Sequence, residues 1–396
     1  MAGAGSPAGA GGPAGAGGPA GAGGPAGAVG PAGAVGPAGA VDPAADVVAQ
    51  AVAAGTSAGT LVTHGLVCGH HHLYSALARG MPAPPRSPTN FTEILELVWW
   101  RLDCALDLEM IRWSAMLGAL EALERGTTAI VDHHSSPNAI EGSLSVIADA
   151  CAEVGIRSVC CYEVTDRNGR AGMAAGLAEN ERFLRGGGRG FVGAHACFTL
   201  SDATLEAVAG LAQDLGTGVH IHVSEDRCDA GAGARLETVA NERWLLAHCV
   251  HLDRPLNGCI AHNPRSNMNN SVGYARPARW QNPVVLGTDG IGGDMLEEFR
   301  LAYVRHREDD VTATPLDAWS WLGGGEALVP EVAGDTVVWS YSPMEPWHLA
   351  FSPGVSPLEV TVDGERVLSG GRPTRVDPDE IRAKAREQAE RLFARL

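Results

Sequence analysis

Residues 66–73 read LVCGHHHL, an apolar run that ends in three successive histidines. A strand turns successive side chains to opposite faces, so His70 and His72 share one face and His71 takes the other. Two imidazoles on one face of a strand end can clamp a single ion of the zinc class. An isolated His-x-His is more often just the polar end of a strand, so the rest of the chain has to decide.

Working outward, seven more β-rich runs follow, at 127–134, 156–165, 191–199, 219–225, 244–251, 258–263 and 284–289. Segments between them, such as IRWSAMLGALEALERG and DATLEAVAGLAQDLG, have helical spacing and end in glycine, a common helix stop. Strands that alternate with helices predict an α/β fold with a parallel sheet, and eight of them predict a (β/α)8 TIM-type barrel. Active sites of such barrels lie at the C-terminal ends of the strands. Here those ends carry His70 and His72, His133 and His134, Glu163, His195, His222, His248, His262 and Asp289. Twelve of the fourteen histidines fall between His64 and His262. Packing alone does not place polar rings so repeatedly, and the pattern points to a metal-dependent enzyme.

Composition narrows the partners. A formal charge of -17 leaves no basic surface for nucleic acid or an anionic membrane. The chain shows neither a long apolar span nor a secretory leader pattern, so a cytoplasmic setting is expected. Nine scattered cysteines without a CxxC pair argue against a disulfide framework or a thiolate zinc site. Residues 1–45 are low-complexity Gly/Ala/Pro sequence, with glycine at every third position from Gly9 to Gly39. That tract reads as a disordered tail, with a short collagen-like trimeriser as the alternative. The expected division is then a barrel over 61–310 and, over 311–396, a remnant of a small β-sandwich followed by a terminal helix.

Five motifs stand in order: GHHHL (69–73), HIHVSED (220–226), LAHCVHL (246–252), HNPRSN (262–267) and LGTDG (286–290). In that order they resemble the amidohydrolase superfamily, in its branch of metal-dependent chlorohydrolases and amino-heterocycle deaminases. The pieces HHHLYSALARGM, WWRLDCALD, VDHHSSP, CYEVTDRNG, HNPRSNMNNSVGYA and LGTDGIGGDM are most similar to SsnA-type aminohydrolases. The likeness runs from about Leu61 to the C-terminus.

The resemblance implies one divalent metal, zinc first and iron second, held by His70, His72, His222 and Asp289. Three neutral imidazoles and a carboxylate suit either ion, which lowers the pKa of a bound water to about 7. It also makes Asp289 the acceptor of the attacking water's proton, Glu225 the proton shuttle and His248 the group that orients the attacking oxygen. His195, Trp100 and Asn267 are the implied substrate contacts, with His262 a further rim or supporting group. His220 shares a face with His222, and the acid at His-x-x-Glu spacing together with the likeness selects His222. Binuclear relatives bridge two ions with a carboxylated lysine, whereas the sole lysine here is Lys384, in a charged C-terminal stretch. A mononuclear site is therefore expected.

The implied function is hydrolysis of a non-peptide C–N bond, deaminating an amino-substituted heterocycle or similar small molecule. Hydrolysis of another C–N or a C–halogen bond, or a catalytically degenerate metal-binding scaffold, are the alternatives. By analogy the chain forms a dimer or larger homo-oligomer. Four departures from the family pattern stand against activity. The N-terminal sandwich strands look replaced by the Gly/Ala/Pro tract, leaving open strand edges. Only LDRPLN separates His251 from Gly258, so a helix looks deleted between the sixth and seventh strands. The stretch 312–334 looks shortened, and His64 stands where proline is usual.

Overall fold

A computed structural model describes residues 54–57, 60–341 and 345–396; the low-complexity tract lies outside these residues. Two short strands open the described chain, β1 (Ala54–Ser57) and β2 (Thr60–Thr63). Eight strands follow, each inside one of the runs read above. They are β3 (Leu66–His71), β4 (Thr127–His134), β5 (Arg157–Tyr162), β6 (Val192–Ala196), β7 (Val219–Val223), β8 (Leu245–His248), β9 (Cys259–His262) and β10 (Val284–Leu286).

All eight pair in parallel, three in the order β3-β4-β5 and five in the order β6-β7-β8-β9-β10. Isolated parallel bridges link the two sheets at both flanks: His71 with Asp289, Cys160 with Gly190 and Val164 with Ala194. Apolar side chains of both sheets meet in one buried cluster, including Val67, Val131, Val159, Leu245, Ala261 and Val285, with Val329 and Val332 beside them. Glycine at 287 permits one of these close approaches, since a Cβ there would lie 2.8 Å from that of His70.

Local chemistry explains the helices between the strands. The side chains of Asp107, Ser201 and Asp294 accept from backbone N–H groups of the first turns of 108–123, 202–214 and 295–309. Gly126 and Gly216 follow the first two in left-handed conformations, at φ 80° and 68°, as their glycines predict. Between β8 and β9, residues 249–258 contain no helix, as expected, yet the strands still pair from Leu245 opposite Cys259. A turn therefore replaces the helical crossover.

The expectation of missing N-terminal strands needs correction. β1 and β2 join β11 (Thr336–Trp339), β12 (Pro357–Val362), β13 (Glu365–Ser369) and β14 (Arg372–Pro373) in one antiparallel sheet, ordered β1-β2-β11-β12-β13-β14. The residues that supply β1 and β2 lie just after the low-complexity tract, where short segments carried too little alternation to be read as strands. β2 covers the β11 edge, with Thr63 opposite Val337. Trp339 Nε1 donates to Thr63 Oγ1 at 2.9 Å. His64, in place of proline, reaches Glu326 at 3.2 Å. A helix over Pro378–Phe393 closes the chain and carries Lys384 on its surface, paired with Glu387. Among the described residues, no helix is long and apolar enough to cross a membrane.

Arg157, at the start of β5, ties the parallel strands to this antiparallel sheet through Asp335 and Asp363, which flank β11 and β12. Asp335 is fully buried, so Arg157→Met strands a buried carboxylate and is expected to cost ~3–5 kcal/mol, read as a lower urea midpoint. The double variant with Asp335→Leu should recover much of the loss; an unchanged midpoint in the single variant would contradict the assignment.

Candidate active site

The C-terminal ends of the eight strands hold the predicted residues. His70 and His72 leave β3 on one face, as the strand alternation requires, and meet Asp289, which follows β10. His72 Nε2 lies 3.0 Å and His70 Nε2 3.5 Å from Asp289 Oδ1. His222, from β7, brings its Nε2 to 3.2 Å from that of His72. Ring nitrogens of His70, His72 and His222 thus lie within 4.8 Å of one another, and Asp289 stands against those of His70 and His72.

The opposite edge of each ring explains why. His72 Nδ1 donates to the His133 carbonyl at 2.6 Å, and His222 Nδ1 to the His195 carbonyl at 2.8 Å. His70 Nδ1 lies 2.8 Å from His220 Nε2, which makes His220 a support for His70 rather than a rival of His222. Beyond it, His220 Nδ1 meets Cys161 Sγ at 3.6 Å, and that thiol donates to the Asp132 carbonyl. Burial keeps the Cys161 thiol protonated, so the chain of donors runs one way from His70. Each ring is thus fixed with Nε2 as its free lone pair, as metal-binding histidines require.

The electrostatics of the set call for one positive charge. Burial pulls His70 down to about 3 and His222 well below the usual imidazole range. His72 is equally buried, but Asp289 pushes it up to about 9. Against the effect of burial, the neighbouring His70 and His72 rings hold Asp289 well below the ordinary carboxylate range. His70 Nε2 is buried without a hydrogen-bond partner. Three imidazoles and a carboxylate with one such orphan fit a zinc-class cation.

Glu225 and His248 stand beside this group, with His248 Nε2 3.5 Å from Glu225 Oε2. Burial lifts the Glu225 carboxyl to about 7, against the pull of His248. Backbone strain marks the same region: Ser224, His248 and Asp289 adopt φ of 46°, 71° and 53°. Such left-handed residues are uncommon outside glycine, and they turn the chain sharply at the ends of β7, β8 and β10.

A pocket opens over these residues, and His195 and Trp100 are among those that line it. Asn267 is not. Its Oδ1 accepts from His248 Nδ1 at 2.7 Å, whereas Asn270 lines the pocket and reaches Glu225 at 3.4 Å. Both lie in or at the end of the short helix Pro264–Asn269, where Ser266 and Asn270 share a face by their spacing of four. Ser266 Oγ donates to Asp289 Oδ2. The motif HNPRSN thus held more than its reading extracted: Ser266, and Asn270 just beyond it, were passed over. Trp99, Tyr74, Asp103 and Glu163 also line the pocket.

The remaining rings face elsewhere. His71 bonds Thr288, His134 bonds Ser136, and His251 donates to the Val272 carbonyl. His262 packs against Tyr274 and Trp321. Because Asn267 sets the His248 ring, Asn267→Ala is expected to lower kcat by about 10–100-fold with metal content unchanged. An unaffected kcat would show that His248 needs no such support.

The model of the amidohydrolase family matches residues 61–321. A 5-methylthioadenosine/S-adenosylhomocysteine deaminase of Desulforudis audaxviator is 29% identical over 85% of this chain and 87% of its own. A 5'-deoxyadenosine deaminase of Methanopyrus kandleri is 31% identical, over 74% and 78%. Among solved structures, a zinc-bound adenosine deaminase from Xanthomonas campestris is 22% identical and superposes with a TM-score of 0.69. That match covers 85% of this chain and 87% of the other. The chain belongs to the amidohydrolase family and is a hydrolase of carbon–nitrogen bonds other than peptide bonds.

Proposed function

We propose that the protein is a mononuclear, zinc-dependent aminohydrolase that deaminates an amino-substituted purine nucleoside or a close analogue. The observation that carries this is the cluster of His70, His72 and His222, with Asp289 against His70 and His72 and with Glu225 and His248 alongside. The eight parallel strands form its scaffold as a (β/α)8 barrel, a reading supported by the bridges at both sheet flanks. The similarity to adenosine-type deaminases over most of the chain supports the substrate class.

His70, His72, His222 and Asp289 would hold the cation. When bound, it supplies Lewis acidity that brings a water's pKa from 15.7 to about 7. Everything else falls to the side chains. Ser266 holds one oxygen of Asp289, which leaves the other to accept the proton of the attacking water. His248 gives its Nδ1 proton to Asn267, so its Nε2 is free to hold the attacking oxygen's hydroxyl.

Glu225 protonates a ring nitrogen as the oxygen adds to the adjacent carbon, takes up the hydroxyl proton of that oxygen and passes it to the departing amine, and the proton held by Asp289 then restores Glu225. Its carboxyl, raised to about 7, is suited to gain and lose a proton near neutrality. The balance is water plus the C–NH2 compound giving the C–OH compound, or its keto tautomer, plus ammonia. Trp99, Trp100 and Tyr74 wall the pocket and limit the water that reaches the reacting carbon.

The test is ammonia release from 5'-deoxyadenosine and 5'-methylthioadenosine by the zinc-loaded protein. Glu225→Gln is expected to keep its metal and lose about 10²–10⁴ in kcat. Turnover unchanged by that substitution removes Glu225 from the reaction, and no ammonia from either compound contradicts the substrate class.

A further inference from the structure

The motif HNPRSN has a member that the reaction above leaves unassigned. Arg265 is the second residue of the short helix Pro264–Asn269, directly before Ser266, and its side chain is only 21% exposed. All three guanidinium nitrogens are committed, each to a different residue. Nη2 donates to the Ile291 carbonyl at 2.5 Å, Nη1 donates to Glu297 Oε2 at 2.7 Å, and Nε lies 2.6 Å from Glu298 Oε1. Glu297 and Glu298 belong to the helix 295–309, and Glu298 is fully buried.

Of these contacts, the one to Ile291 bears on the reaction. Ile291 closes a tight turn, its N–H donating to the Thr288 carbonyl at 3.1 Å, and Asp289 is the second residue of that turn. Asp289 holds φ at 53°, a conformation that strains a residue with a side chain and persists only where its surroundings enforce it. From the β3 side, the His70 carbonyl accepts from the N–H groups of both Thr288 and Asp289 at 3.0 Å. Ser75, which follows β3, donates to the Gly290 carbonyl at 2.9 Å. From the β9 side, Arg265 takes the next carbonyl, that of Ile291.

Two neighbouring residues of one helix thus hold the same acid in different ways. Ser266 takes Oδ2 of its side chain, and Arg265 takes the backbone two residues beyond it. Ser266 can aim that carboxylate only while the turn stays against the helix. The guanidinium, itself braced by Glu297 and Glu298, keeps it there. Lysine, with a single nitrogen on a flexible stem, does not match this fork of contacts.

We infer that Arg265 is a positioning residue for Asp289, pinning the turn after β10 to the helix after β9 so that the carboxylate stays turned to His70 and His72. The inference deepens the aminohydrolase reading and rests on it for the role of Asp289 as ligand and base. Arg265 itself touches no substrate.

Two readouts test it: zinc affinity, by competition with a chromogenic chelator, and steady-state deamination of 5'-deoxyadenosine at saturating zinc. The variant Arg265→Met/Glu298→Leu removes the pin without stranding a buried carboxylate, so its urea midpoint is expected to stay near that of wild type. Its zinc affinity and kcat are each expected to fall about 10–100-fold, with KM close to wild type. Glu298→Gln keeps the Ile291 contact and is expected to keep both values. Wild-type zinc affinity in the double variant overturns the inference, whatever its kcat. So does an equal loss in Glu298→Gln, which would make the ion pair alone decisive.

Should the double variant fail to fold, Arg265→Lys keeps a positive charge beside Glu298 and is expected to lower zinc affinity severalfold at an unchanged urea midpoint. Undiminished affinity there also overturns the inference. The reading beneath it fails differently. A wild type that holds no zinc overturns both, whereas zinc affinity that depends on Arg265, with no ammonia released, leaves the pin standing and removes the substrate class.

Discussion

An imidazole has two ring nitrogens and, when neutral, one proton to divide between them. Three rings can present lone pairs to a common point only if each donates its remaining proton elsewhere. In this protein the acceptors come from the strands themselves. His72 gives its proton to the carbonyl of His133 on the neighbouring β4, and His222 gives its own to His195 on the neighbouring β6. His70 leans on His220, one pleat deeper on β7. Strand register therefore sets the tautomers: Asp132 pairs opposite His71, and Ala196 opposite His222. A slip of one residue in either pair would remove an acceptor and turn a ring away.

The acids show the same dependence on surroundings. Asp289 and Glu225 lie near the same imidazoles, yet their carboxyls are driven in opposite directions. The rings of His70 and His72 keep Asp289 ionised, while burial lifts the Glu225 carboxyl to about 7. Two carboxyls whose environments separate them in this way divide into an ionised ligand and base on one side and a proton shuttle on the other. The short helix after β9 maintains that division, with Ser266 on Asp289, Asn270 on Glu225 and Asn267 on His248.

Much of this was legible beforehand, for physical reasons. Strand alternation separated His71 from its neighbours, and the structure turns His71 to Thr288. The ends of two helices followed from their glycines, whereas the capping side chains at their starts went unread. Periodicity could not rank His220 against His222, because both lie on one face of β7. Their difference is depth, which only the neighbour at His70 reveals. Asn267 illustrates the opposite limit: its motif was recognised, but one helical step decides between facing His248 and facing the pocket. Glu163 was visible as an acid at a strand end, yet its incomplete pairing with Arg167 depends on Asp103, sixty residues earlier. The strands β1 and β2 were missed because each is too short for a pattern, and β11, which holds β2 in the sheet, lies more than 270 residues later.

The account stands on one cation held by four side chains. Elemental analysis of the purified full chain, grown with added zinc and iron, measures that directly. About one zinc or iron per chain, lost in His72→Ala and retained in Glu225→Gln, is the predicted result. No metal, two ions per chain, or an ion that survives in His72→Ala would contradict the convergence of His70, His72, His222 and Asp289 on a single site.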